Sequence, residues 1–111
     1  MQATSCETGG PADPAVMERG AGEAARVLRA LANENRLMVL CCLGRGELSV
    51  SELLERVPLS QSALSQHLAV LRHEGLVETR REAQTIHYRV ADERVQRLMP
   101  VICEVLAAGH E

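Results

Sequence analysis

Between Ser60 and Val90 the apolar residues keep one period and then switch to another. Leu64, Leu68 and Leu71 fall at i, i+4 and i+7, with Ser60 as an N-cap before them and Gly75 closing the run, which predicts a helix. Val77, Thr79 and Arg81 then alternate with acids and Arg80. Beyond "EAQ", Ile86, Tyr88 and Val90 alternate with His87 and Arg89. That period of two predicts a hairpin directly after the helix. From Asp92 the helical period returns through Val95, Leu98, Met99, Ile102, Val105 and Leu106, and Pro100 removes one backbone donor there and predicts a kink.

The chain ahead of this unit is helical as well. Asp13 and Pro14 supply an N-cap and a first-turn proline, and Ala24, Val27, Leu28 and Leu31 recur at helical spacing, loosened by Gly20 and Gly22. A second helix is predicted from Glu34 to Leu43 after Asn33, with Leu37, Leu40 and Cys41 on one stripe and Met38 beside Cys42. It is apolar nearly all round and should therefore be buried. "GRG" at 44–46 stops it. A short helix from Ser51 to Val57, capped by Ser49 or Ser51, ends at Pro58. Residues 1–12 lack periodicity and read as a mobile tail, leaving residues 13–111 as one domain that is mainly α with a small β-hairpin.

A domain of this size buries only a modest share of its surface, and this one has no Phe or Trp and a single Tyr, so association with a second copy is expected. The formal charge is −3 and every basic residue is arginine. Total charge thus argues against binding a polyanion, but residues 56–91 hold five arginines against three acids. Any phosphate-facing surface belongs there. No cleavable signal sequence or membrane-length apolar run occurs, so a cytoplasmic protein with reduced thiols and no membrane partner is expected. The four cysteines, Cys6, Cys41, Cys42 and Cys103, form neither a CxxC nor a zinc-finger spacing. With no base, resolving CxxC or substrate pocket in view, an enzyme is not expected.

A short helix, a tight turn and a second helix with small polar residues opposite its leucines is the plan of a helix-turn-helix. At 100° per residue the outward side carries Ser62, Ser65, Gln66, Ala69 and His73, and glutamine suits the edge of an adenine. An ordinary amphipathic helix would also show solvent such a face. Arg80 and Arg81 near the hairpin tip shift the balance, since they can reach phosphates or a minor groove. The candidate contacts to double-stranded DNA are Ser60, Gln61, Ser62, Ser65, Gln66 and His67 on the helix, with Arg80, Arg81 and Gln84 on the hairpin. His67 lies at the border of the buried side, where packing or phosphate support suits it better than base reading.

The stretches "LANENRLMVLCCL" and "LSQSALSQHLAVLRHEGLVETRREAQTIHYRV", with the closing helix, resemble the ArsR/SmtB family of bacterial winged-helix repressors over about residues 22–108. The resemblance implies a homodimer joined through its first and last helices, bound to an imperfect palindrome of operator DNA and released by an inducer. It places Ser62, Ser65, Gln66 and His67 on the recognition helix and Arg80 and Arg81 on the wing.

The family moves its sensor from member to member. Members that hold trivalent arsenic on the short helix have cysteines where this chain has Ser49 and Ser51, and members with zinc on the last helices need a histidine where Arg94 stands. A branch answering persulfides or oxidants is most similar through "RLMVLCCL" and "REAQTIHYR". It pairs a cysteine at the position of Cys41 with one at the position of Ala107, and Cys103 lies one helical turn earlier, about 5.4 Å away. A soft-ion site is the other implication, because thiolate suits trivalent arsenic and antimony. Cys103, at the rim of the packed face near the expected subunit seam, is its first ligand, with Cys41 and Cys42 as further ligands or as core residues. The leading expectation is a repressor with no resident cofactor, released when these thiols bind trivalent antimony or arsenic. The alternative is a persulfide- or redox-responsive repressor using Cys41 and Cys103.

Overall fold

The computed structural model describes residues 13–108. The expected N-terminal tail, with Cys6, lies outside the described residues. Helix α1 (Pro14–Leu31) starts where expected, because the Asp13 carboxylate accepts from the backbone N–H groups of Ala15 and Val16. Asn33 does the same for α2 (Glu34–Leu43), accepting from Asn35 and Arg36. Each cap satisfies donors that a helix start leaves without partners.

After α2 the chain forms a two-residue strand, β1 (Leu48–Ser49), that no periodicity announced. Ser49 then caps α3 (Val50–Leu54): its hydroxyl accepts from Glu52 N–H at 3.2 Å, and the Glu52 carboxylate accepts from Ser49 N–H at 2.8 Å. This capping box starts α3 one residue before the expected Ser51. The helix also ends sooner than expected, at Leu54, with Val57 buried in the turn that follows.

Ser60 accepts from Ala63 N–H and opens α4 (Gln61–His73). Gly75, at φ 76°, closes it: Leu76 N–H donates to Leu71 carbonyl at 2.9 Å and Gly75 N–H to Arg72 carbonyl at 3.0 Å. Left-handed backbone at this position is what a Schellman ending requires, and Leu71 and Leu76 are both buried against it. The hairpin follows as β2 (Val77–Glu82) and β3 (Thr85–Val90), turning through Ala83 at φ 56°. The sheet order is β1-β3-β2, all antiparallel, pairing Ser49 with His87 and Arg80 with His87 from the two sides. Asp92 accepts from Arg94 and Val95 N–H at the start of α5 (Glu93–Ala108), which continues through Pro100. Pro100 is exposed, and the helix is docked before it by buried Val95 and Met99 and after it by half-buried Ile102 and Cys103, so the missing bond does not end it.

The core is aliphatic. Leu40, Leu53, Leu64, Leu68, Leu71, Leu76 and Met99 are its largest fully buried side chains. Helix α2 touches α1, α4, α5 and β3, and its Val39, Leu40 and Leu43 fill the space among them. No helix of the described residues is long and apolar enough to cross a membrane. Leu40→Ala is expected to lower unfolding stability by about 2–5 kcal/mol, as truncation of a fully enclosed leucine does. Urea unfolding followed by circular dichroism should show a lower midpoint with an unchanged slope.

Candidate nucleic-acid interface and thiol pair

The leucines of α4 point inward, so geometry alone turns Gln61, Ser62, Ser65, Gln66 and Ala69 outward, and all five are exposed. Ser60 is held by its capping role, with its hydroxyl 3.4 Å from that of Ser62. His67 is half-buried, and its Nδ1 lies 3.5 Å from Arg36 Nη1. Arg36 Nε in turn donates to the Ala30 carbonyl at 2.6 Å. His67 therefore ties the exposed helix to the α1–α2 junction, a link whose only sequence signal was its position at the border of the buried side.

The two wing arginines differ. Arg80 Nε donates to Glu47 Oε1 at 3.0 Å, its Nη2 also engages Glu47, and Nη1 lies 3.5 Å from Glu82 Oε1. The bond from Arg80 holds the Glu47 carboxyl below its ordinary pKa, and the Glu47 carboxylate raises that of Arg80. Arg81 is exposed and makes no ion pair among the described residues. Gln84, at the hairpin tip, is exposed. Glu47 was not among the expected residues: it precedes β1, and only the pairing of β1 with β3 brings it across from Arg80.

Cys41 and Cys103 are joined by a disulfide, with Cα atoms 6.1 Å apart. Disulfides span about 4.4–6.8 Å between Cα atoms, and the pair falls within that range. Both residues are half-buried at the edge of the core, while Cys42 is half-buried and free. Cys103, expected at the rim of the packed face, faces α2 of its own chain, because Val95 and Met99 set the buried line of α5 and turn Cys103 toward Cys41. Among the described residues no three His, Cys, Asp or Glu side chains lie close enough to hold a metal ion. Arg94, standing where a zinc-binding relative would have histidine, pairs with Asp92 at 2.8 Å and with Glu23 of α1 at 3.4 Å.

Residues 33–79 match the bacterial regulatory protein family described as arsR. The transcriptional activator HlyU of Vibrio cholerae is 49% identical over 103 residues, covering 93% of this chain and 95% of its own. The chain belongs to the arsR family. A biofilm growth-associated repressor of Agrobacterium fabrum is 44% identical over 95 residues, covering 86% of this chain and 81% of its own. The structure of reduced HlyU from Vibrio cholerae superposes with a TM-score of 0.76 over 80% of this chain and 94% of that one, at 49% identity. A homodimeric winged helix-turn-helix DNA-binding domain of Mycobacterium bovis superposes with a TM-score of 0.70 at 36% identity, over 85% of this chain and 86% of that one. The chain is therefore a winged helix-turn-helix transcriptional regulator and not an enzyme. Its relatives include an activator and a repressor, so membership alone leaves the sign of regulation open.

Two substitutions separate the arginines on the wing. Arg81→Ala should weaken binding to every sequence similarly and flatten the salt dependence of DNA affinity by about one unit. Glu47→Gln, by releasing Arg80, should tighten binding and steepen that dependence by about one unit. Fluorescence anisotropy on specific and random duplexes across a salt series checks both.

Proposed function

We propose that the chain binds operator DNA as a homodimer and represses, and that oxidation of Cys41 and Cys103 to a disulfide lowers its operator affinity. The observation that carries this reading is the pairing of two half-buried thiols, 62 residues apart, across the contact between α2 and α5. Helix α2 also packs on α4, so a bond at one end of α2 bears on the placement of the reading helix. In the reaction two thiols lose two protons and two electrons. Peroxide takes them and leaves as two waters, or a persulfide takes them and leaves as a thiol and hydrogen sulfide.

Dimerisation is supported by apolar side chains that the single chain leaves uncovered. Leu28 on α1 is 53% exposed, and Val101 and Val105 on α5 are 55% and 63% exposed. Exposed patches of this kind mark association surfaces. Val105→Glu should give a monomer by analytical ultracentrifugation and lose operator binding, because each half of a palindrome needs one reading helix.

Release by trivalent antimony or arsenic is the second reading, favoured by the same juxtaposition, since two thiols in reach of one another can also chelate a thiophilic ion. The third ligand is what this reading lacks. Cys42 follows Cys41 in one helix, where successive side chains diverge by about 100°. The redox reading needs two sulfurs only.

One experiment distinguishes them. Reduced protein bound to operator from its own upstream region is treated with peroxide, a persulfide donor or antimonite, and masses are taken intact. Oxidant should remove two hydrogens and lower operator affinity by about 5- to 150-fold, the usual range of coupling between sites. Cys103→Ser should keep operator bound at every oxidant dose. Unchanged affinity of the oxidised wild type would overturn the redox reading, and release by antimonite alone, reversed by a dithiol, would replace it with the metalloid one.

A further inference from the structure

Cys41 and Cys103 line a cleft of about 340 Å³ whose walls include Arg45, Pro100, Glu104 and Ala107. The volume falls within the range of small-molecule sites, roughly 300–1,000 Å³. Arg45 follows the end of α2 and Glu104 follows Cys103 on α5, so a cation and an anion flank the same disulfide. Both are exposed, and neither makes an ion pair among the described residues. On a projection at 100° per residue, Pro100, Glu104 and Ala107 fall on one side of the buried line of Val95 and Met99, and Val101 and Val105 on the other. Val101 and Val105, offered to a second copy, therefore lie across the buried line from Cys103 and Ala107 of the cleft.

Reduction of a disulfide requires a thiolate to approach one of its sulfurs. Glu104 repels any plain anion arriving there, and Arg45 repels any plain cation. A molecule carrying both a carboxylate and an ammonium group meets neither penalty if its carboxylate turns to Arg45 and its ammonium to Glu104. We propose that this cleft is the recognition subsite for a zwitterionic amino-acid thiol, which reduces the Cys41–Cys103 disulfide and so resets the switch. The proposal rests on the redox reading of this cysteine pair and adds the class of reductant.

The chemistry balances with two equivalents of that thiol. The first thiolate attacks one cysteine sulfur, forming a mixed disulfide and breaking the Cys41–Cys103 bond, and the other cysteine leaves as thiolate. A second thiolate attacks the small-molecule sulfur of the mixed disulfide, and the two small thiols depart as their own disulfide. Two electrons have passed from them to the protein, and both cysteines take up protons according to the pH.

The test uses the full oxidised chain and follows reduction by intact mass. The probes are L-cysteine and the tripeptide glutathione, which carry both charges, cysteamine, which carries only ammonium, mercaptopropionate, which carries only carboxylate, and mercaptoethanol, which carries neither. Rates are corrected for thiolate fraction and intrinsic nucleophilicity. L-cysteine or glutathione should lead mercaptoethanol by about three- to fivefold, the effect of exposed charge contacts on a rate, and whichever leads identifies the source. Arg45→Gln should remove the advantage over cysteamine, and Glu104→Gln the advantage over mercaptopropionate; both positions are exposed, so the fold is kept. Equal corrected rates for all five thiols, or variants that change nothing, would overturn the subsite. If instead oxidation never joins Cys41 to Cys103, the redox reading itself falls.

Discussion

Helix α2 is the constraint on which the arrangement depends. Ten residues long, it buries Val39, Leu40 and Leu43, keeps six others half-buried, and packs against α1, α4, α5 and β3 together. Interiors packed at the density of organic crystals transmit displacement rather than absorb it. A change in the relation of α2 to α5 therefore has few places to go except to the neighbours of α2, and one of them is the helix that presents Ser62, Ser65 and Gln66. His67 and Arg36 add a polar link along the same route, since Arg36 sits on α2 and reaches both His67 and the Ala30 carbonyl. The thiols and the polar face are thus two ends of one packed unit.

Much of this was legible in the sequence, for reasons specific to the residues. The spacing of Leu64, Leu68 and Leu71, the cap at Ser60 and the left-handed glycine at 75 are local signals, and α4 follows them closely. Asp13 and Asn33 mark helix starts in the same way. Strand β1 was not legible, because two residues cannot display a period and Leu48–Ser49 is a strand only through its pairing with β3. The early start of α3 follows from the reciprocal bonds of Ser49 and Glu52, which compete with Ser51 for the cap. Glu47 and Arg45 were missed on similar grounds: each matters through a partner or cleft brought near by the tertiary fold. For Cys103, the projection placed the residue correctly at the rim of the buried stripe but could not say which neighbour the rim would meet.

The field that operator DNA would meet at the proposed reading surface is set by which arginines are already paired rather than by the net charge of −3 alone. Acids are not spread evenly against the arginines; several are spent locally, as Glu74 is on Arg26, Glu78 on Arg89 and Glu47 on Arg80. Exposed pairs of this kind contribute little to stability, because solvent screens them. Their larger effect is on the field that a phosphate backbone meets. An arginine already facing a carboxylate offers a polyanion less than one that is unpaired, so in the proposed operator complex Arg81 would give more at the outset than Arg80, which Glu47 holds.

The stabilising effect of the Cys41–Cys103 bond must be kept apart from any effect on DNA affinity. Closing a loop of 62 residues raises stability by about 4 kcal/mol in the chain-entropy account, because it restricts the unfolded chain. That gain is common to every native arrangement and shifts none of them relative to another. A modification moves an equilibrium only by the difference in its free energy between the two states concerned. For the proposed switch, the relevant difference lies in how well α2 and α5 accommodate the bond when the reading helices are spaced for an operator and when they are not. A regulator built this way can become much harder to unfold on oxidation while changing its DNA affinity by a smaller and separately determined amount, so resistance to urea and release from operator are independent measures of the same bond.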